Sequence, residues 1–200
     1  MKKAFGFLLV LIILAGIYSC KSILLRINGI SKPGFETKKS ILTYISANSF
    51  DPGDGLFTGK DSTRFFLLLN MITSLPNVDF YNPKGELIDY SKTGDCTGQA
   101  EIFAAGLTPD VLYKTDSSYQ FNDVKGKVIS IDGKSKLSLD NADFTVLIFW
   151  SKYLGKMNKS VMKVKRILQD NKKIRTNIYL INMDFQRDWG MKAIPEINLK

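Results

Sequence analysis

The stretch that most constrains this chain is Phe144–Ser160, FTVLIFWSKYLGKMNKS. Its consecutive apolar residues Val146-Leu147-Ile148-Phe149-Trp150 leave no polar alternation, the pattern of a strand covered on both faces. Polar Ser151 and Lys152 end that run, and Leu154-Gly155-Lys156-Met157 follows. From about Lys156 to Asn171 the apolar positions Met157, Val161, Val164 and Leu168 recur at helical spacing, with Lys159, Lys163 and Arg166 away from them. A second apolar run, within 174–183 and containing Ile178-Tyr179-Leu180-Ile181-Asn182, reads as another buried strand. Strand, helix, strand in this order calls for a parallel pair joined by a crossover, so the fold class is α/β.

The rest of the chain supplies elements of similar size. Ser22–Ile30 alternates Ile23, Leu25 and Ile27 as a strand would, and Ser31-Lys32-Pro33-Gly34 turns it. Glu36–Asn48 places Ile41, Leu42 and Ile45 at helical spacing. Asp51-Pro52-Gly53-Asp54-Gly55 is a turn; its carboxylates lack the alternating ligands of a calcium loop. Leu56–Thr58 reads as a short strand, and Asp61 or Ser62 as the cap of a helix over Thr63–Ile72. Two alternating segments, 75–81 and 86–90, flank Asn82-Pro83-Lys84-Gly85 as a hairpin. A small-residue helix then runs from about Gln99 to Leu107. Thr108–Gln120 is a candidate linker, and 127–139, centred on Asp132-Gly133, a second hairpin. This divides the chain into a leader (1–20), an N-terminal α/β region (22–107) and a C-terminal region (121–200).

Composition removes several chemistries. His is absent, and with it the commonest general base and zinc ligand. No metal or cofactor site is expected. The formal net charge is +9, but no nucleic-acid-binding signature accompanies it. The basic run between Ser151 and Arg175 reads as a solvated face, with docking on anionic lipid or an acidic partner as the alternative. Lys2 and Lys3 precede a continuous apolar run from Ala4 to Tyr18, too short to span a bilayer comfortably and suited to an export signal.

Two resemblances follow. Ile17-Tyr18-Ser19-Cys20 resembles a bacterial lipobox, which implies cleavage and lipidation at Cys20; an uncleaved anchor is the alternative. Either places the chain at a membrane, outside the cytoplasm, in the cell envelope. Phe149-Trp150 with Gly155, the strand ending near Asp184, and Ile194-Pro195 together resemble the thioredoxin family. On that pattern the two cysteine positions fall on Leu154 and Met157, the buried acid position on Ile148, and a cis-proline beside a peptide groove on Ile194-Pro195. The resemblance implies a thioredoxin-like fold without redox chemistry, with Leu154 and Met157 packing the site closed. The hairpin led by Leu75-Pro76 is also similar to the proline-led strand of that family, so the N-terminal half is expected to be a second degenerate unit or to complete the sheet. The expectation is a membrane-tethered binding or accessory protein with a protein or peptide partner and no nucleic acid. The alternatives are a thiol oxidoreductase or peroxidase using Cys96, at a predicted helix start, and a structural envelope lipoprotein.

Overall fold

The computed structural model describes Leu25 and residues 27–72, 74–90, 96–109 and 111–195, with Cys96 and Thr97 by backbone. The leader, Cys20 and the expected strand at Ile197–Leu199 lie outside the described residues.

One mixed sheet of seven strands forms the centre, in the order β5-β4-β3-β7-β8-β2-β6. Its strands are β2 (Gly55–Gly59), β3 (Asn77–Tyr81), β4 (Glu86–Ile88), β5 (Thr115–Gln120), β6 (Val128–Ser130), β7 (Phe144–Trp150) and β8 (Thr176–Asn182). Strand β7 pairs in parallel with β8 and antiparallel with β3, while β8 pairs in parallel with β2. A separate parallel pair joins β1 (Phe35–Glu36) to β9 (Phe185–Gln186).

The unbroken apolar run of β7 has the predicted cause, because every residue of the strand is buried. Val146, Ile148 and Trp150 face one cluster, packed by Ile41 and Ile45 of α1 (Lys38–Ala47), Ala100 and Ala104 of α3 (Cys96–Gly106), and Val161, Val164 and Leu168 of α5 (Asn158–Asp170). Leu147 and Phe149 face the other, with Phe65 and Leu68 of α2 (Ser62–Met71) and Phe121 and Val124 of α4 (Phe121–Lys125). Each such side chain contributes about 1.5–3 kcal/mol by leaving water. Helix α1 is closed by a reciprocal cap between Thr37 and Ser40, and α2 by the Asp61 carboxylate accepting from the Arg64 N–H.

Both halves of the chain contribute strands to one sheet, so 108–120 is not a seam between domains. Its second half is β5, an edge strand on β4, and the polar composition that reads as a linker reflects exposure of that edge. The 127–139 hairpin does not form: β6 pairs instead with β2. The Asp132 carboxylate accepts from the Lys134 and Ser135 N–H groups, at 2.8 and 3.0 Å, and curls the chain away. Leu137 is buried in the second cluster, and the Ser138 main chain is held by Tyr179 and Asn177 side chains. The strand expected over 22–30 is also absent where described. Leu25 and Ile27 are helical, and Gly29 at φ +66° ends the turn, with the Ile30 N–H donating to the Leu25 carbonyl at 2.9 Å.

Candidate functional site

Parallel strands β7 and β8 end side by side, and the residues that follow them meet in a buried polar cluster. Beyond Trp150 the extended Ser151 leads into a 3-10 turn, Lys152–Met157, interrupted at Gly155 (φ 54°, ψ −123°), before α5 begins. Beyond Asn182 the chain reaches Asp184. Ser151 Oγ donates to Asp184 Oδ1 at 2.5 Å, and the Lys152 N–H and Asn182 Nδ2 donate to Asp184 Oδ2 at 2.9 and 2.7 Å. Asn158 Nδ2 donates to the Ser151 carbonyl at 2.7 Å, and Gln186 Nε2 to that of Asp184 at 2.8 Å. Ser151, Asn158, Asn182, Asp184 and Gln186 are buried, and Lys152 is half-buried. Burial pushes the Asp184 carboxyl above its usual range, opposed by the hydrogen bonds from Lys152, Ser151 and Asn182. Ser151 is fully buried and gives its proton to an acid already saturated with donors, so the pair does not constitute a nucleophile and base.

Over this cluster lies the chain's own N-terminal segment. The Lys156 N–H donates to the Asn28 carbonyl at 2.7 Å, and the Ser31 N–H to the Tyr153 carbonyl at 2.8 Å. Phe35 and Glu36 pair with Phe185 and Gln186, and the Phe35 and Phe185 rings meet edge-on at 6.5 Å. Lys152 Nζ and Glu36 Oε2 form an ion pair at 2.5 Å. A Cβ on Gly155 would fall 2.5 Å from the Asn28 carbonyl oxygen and closer still to that of Gly29, so the two chains approach through a position only glycine fills. Beneath the segment the Tyr153 hydroxyl is buried with no well-formed hydrogen bond among the described residues; desolvation, and then the nearby Asp184 charge, push it up to about 12 against an opposing contribution from Ser151.

The predicted site residues separate. Leu154 is 2% exposed and fills the turn, but Met157 is 39% exposed and does not pack it closed, because it stands at the start of α5 on the solvent side. Ile148 is wholly buried in the first cluster. The acid of the turn is Asp184, arriving from β8; polar Asn182 and Asp184 at the end of an apolar strand were the signal for it. Ile194 is half-buried against the second cluster and Pro195 is exposed. The cis bond among the described residues is Leu75–Pro76, not the bond into Pro195. Pro76 immediately precedes Asn77, which pairs with Phe149, so this is the proline that borders the end of β7. Cys96 opens α3, and its side chain lies outside the description.

Four of the basic residues between 151 and 175 are neutralised within the fold: Lys152 by Glu36, Lys163 by Glu101, Lys165 by Asp51 and Arg175 by Asp143. Lys159, Lys163 and Arg166 still line a groove of ≈ 540 Å³ with Phe50 and Met162. Asp51 accepts from Lys165, Gln169 and the Gly53 N–H, which hold its carboxyl down at about 2. Asp54 accepts from the Ile178 N–H at 2.6 Å, so the breaker cluster is a plain turn. No group of three metal-ligating side chains occurs among the described residues, and no described helix is long and apolar enough to cross a membrane.

No family model matches the chain, and no match is found among curated proteins or solved structures. The fold and site define an α/β protein with a mixed central sheet flanked by helices. Its parallel-strand edge carries a closed polar cluster.

Proposed function

We propose that the protein is a membrane-tethered, redox-inactive thioredoxin-like accessory or binding module of the cell envelope. The observation that carries this reading is the environment of β7. It has a parallel neighbour, β8, on one side and the Pro76-led antiparallel strand β3, with β4 beyond it, on the other. Its exit turn carries Leu154 and Met157 where a dithiol would stand. Thiol exchange needs a thiolate and a resolving thiol, and these residues supply neither. The tether rests on Lys2, Lys3, the apolar run 4–18 and Cys20. No peptide groove beside Pro195 enters this reading, because Pro195 is exposed and the residues after it lie outside the described residues.

Two measurements test the reading. The protein should reduce insulin no faster than the dithiothreitol background. A Leu154→Cys/Met157→Cys variant, in a Cys20→Ala/Cys96→Ala background, should close an intramolecular disulfide on mild oxidation. Catalysis by the unmodified chain, or an engineered pair that stays fully open to alkylation after oxidation, would reject it. For the tether, membrane fractionation should retain the unmodified chain and lose a Cys20→Ala variant; retention of that variant points to an uncleaved anchor, and a soluble unmodified chain removes the tether.

A further inference from the structure

Residues 28–36 are held in the manner of a bound peptide rather than a core element. None of them is buried. They lie against the buried Tyr153, Phe185 and Gln186 and the half-buried Lys152 and Gly155. Their attachments among the described residues include two main-chain hydrogen bonds to the turn, a two-residue ladder, the packing of Phe35 at the margin of the second cluster with an edge-on contact to Phe185, and one ion pair. Strand β9 pairs with no described strand except β1, so without this segment its edge would be open. An open edge with side-chain subsites beside it is the general requirement for binding an extended peptide by strand addition. Here the subsites are specific: the Phe185 ring receives an aromatic side chain, and the Lys152 ammonium receives the acidic one that follows it.

We propose that this edge is a peptide-binding cleft in which residues 28–36 sit as a built-in ligand, and that its partner in trans is an extended segment of another protein bearing an aromatic residue followed directly by an acidic one. This deepens the binding-module reading and rests on it for the purpose of the site, but its chemistry involves no thiol. Displacement of Glu36 leaves Lys152 beside the cluster without its counter-ion, so an incoming peptide without an acid would strand that cation. The close approach restricts position 155, where a Cβ would meet the Asn28 and Gly29 carbonyls, whereas position 29 is restricted by its φ of +66°.

The test uses the full chain in neutral detergent and a fluorescein-labelled peptide with the sequence of residues 28–37, followed by anisotropy. A Phe35→Ala/Glu36→Ala variant, whose own segment is weakened, should bind the peptide at least about tenfold more tightly than the unmodified chain does. Replacing the peptide's Glu by Lys should abolish binding, and adding Lys152→Glu in the chain should restore it. A folded variant that does not bind, or binding indifferent to both charge reversals, overturns the proposal. Hydrogen exchange on the unmodified chain provides the second test, independent of whether the variant folds. The Ser31 and Lys156 amides should exchange together, about a hundredfold faster than the Ile148 amide. Exchange only by global unfolding would make the segment part of the core and overturn the proposal. Failure of the engineered disulfide would reject the thioredoxin-like fold and leave these outcomes unaffected.

Discussion

Asp79, on β3, is buried on the second face of the sheet with no ion-pair partner among the described residues. Its Oδ2 accepts from the Tyr119 and Tyr81 hydroxyls at 2.7 and 3.2 Å, and its Oδ1 from Asn77 Nδ2 at 2.8 Å. Desolvation dominates these donors, with Asp116 adding like charge, and the carboxyl rises from its ordinary 3.8 to about 6. The native state therefore keeps a proton that the unfolded chain has released, so stability falls as pH rises from 3.8 to about 6 and then levels off. At 1.36 kcal/mol per pH unit, that displacement corresponds to about 3 kcal/mol lost by neutral pH. In Asp79→Asn one amide oxygen can keep both tyrosine hydroxyls, and Asn77 can turn its amide to accept. The amide must place an NH2 group where the neutral acid carries a single O–H, which offsets about 1 kcal/mol, so the net gain at about pH 8 is about 1–2 kcal/mol. Urea unfolding at about pH 5 and about pH 8 measures it. With a slope of about 1–3 kcal/mol/M, the midpoint at the higher pH should rise by about 0.5–1 M and the lower-pH midpoint, where about half of the loss is already in place, by clearly less. Asp184, displaced in the same direction by burial, leaves some residual pH dependence in the variant. A variant as pH-dependent as the parent, or less stable at about pH 8, would refute the assignment of this cost to Asp79.

Two further substitutions probe the site and its surroundings. Gly155→Ala places a methyl group against the Asn28 and Gly29 carbonyls at a backbone conformation that side chains avoid; it should cost about 1–3 kcal/mol and speed tryptic cleavage after Lys32, and unchanged cleavage would show that the segment is not held there. Lys165→Met keeps the buried stem and removes a charge whose side chain is 5% exposed, so stability at neutral pH should change by less than about 1 kcal/mol. Asp51 is held at about 2 chiefly by that lysine, so its contribution is present above 3.8 and disappears as pH falls toward about 2. The variant's urea midpoint should accordingly be less sensitive than the parent's across that acid window, and an unchanged slope would show that Lys165 does not hold Asp51 down.

Much of the fold was legible because local patterns coincided with burial. The continuous apolar run of β7, the helical stripe of Val161, Val164 and Leu168, and the Pro-Gly turn between β3 and β4 each carried a period or a turn signal that tertiary contacts did not override. Long-range choices were not legible. Nothing local to Val128–Ser130 selects β2 over the nearer 136–139, and the Asp132 turn that decides the matter depends on side-chain hydrogen bonds. Polar β5 resembled a linker because an edge strand needs no apolar alternation. At the site, Leu154, Gly155 and Met157 were singled out by the resemblance to the thioredoxin pattern. The partners of that turn, Asp184 and residues 28–36, come from distant parts of the chain and were not foreseen.

The polar cluster and the segment above it therefore answer to different physical demands. Where two parallel strands end and diverge, main-chain N–H groups lose their ladder partners, and a buried donor must be satisfied. Asp184 meets that need for Lys152, while Asn158 serves the Ser151 carbonyl. Polar residues at this spot are thus required by the turn whether or not any chemistry happens there, and their presence alone is no argument for a reaction. Residues 28–36 also satisfy main-chain groups of the turn, the Lys156 N–H and the Tyr153 carbonyl, and Phe35 packs at the margin of the second cluster, yet none of the segment is buried. Another extended segment offering the same main-chain groups, ring and acid would meet those needs equally, and for that reason the segment, rather than the acid beneath it, is where function is to be sought.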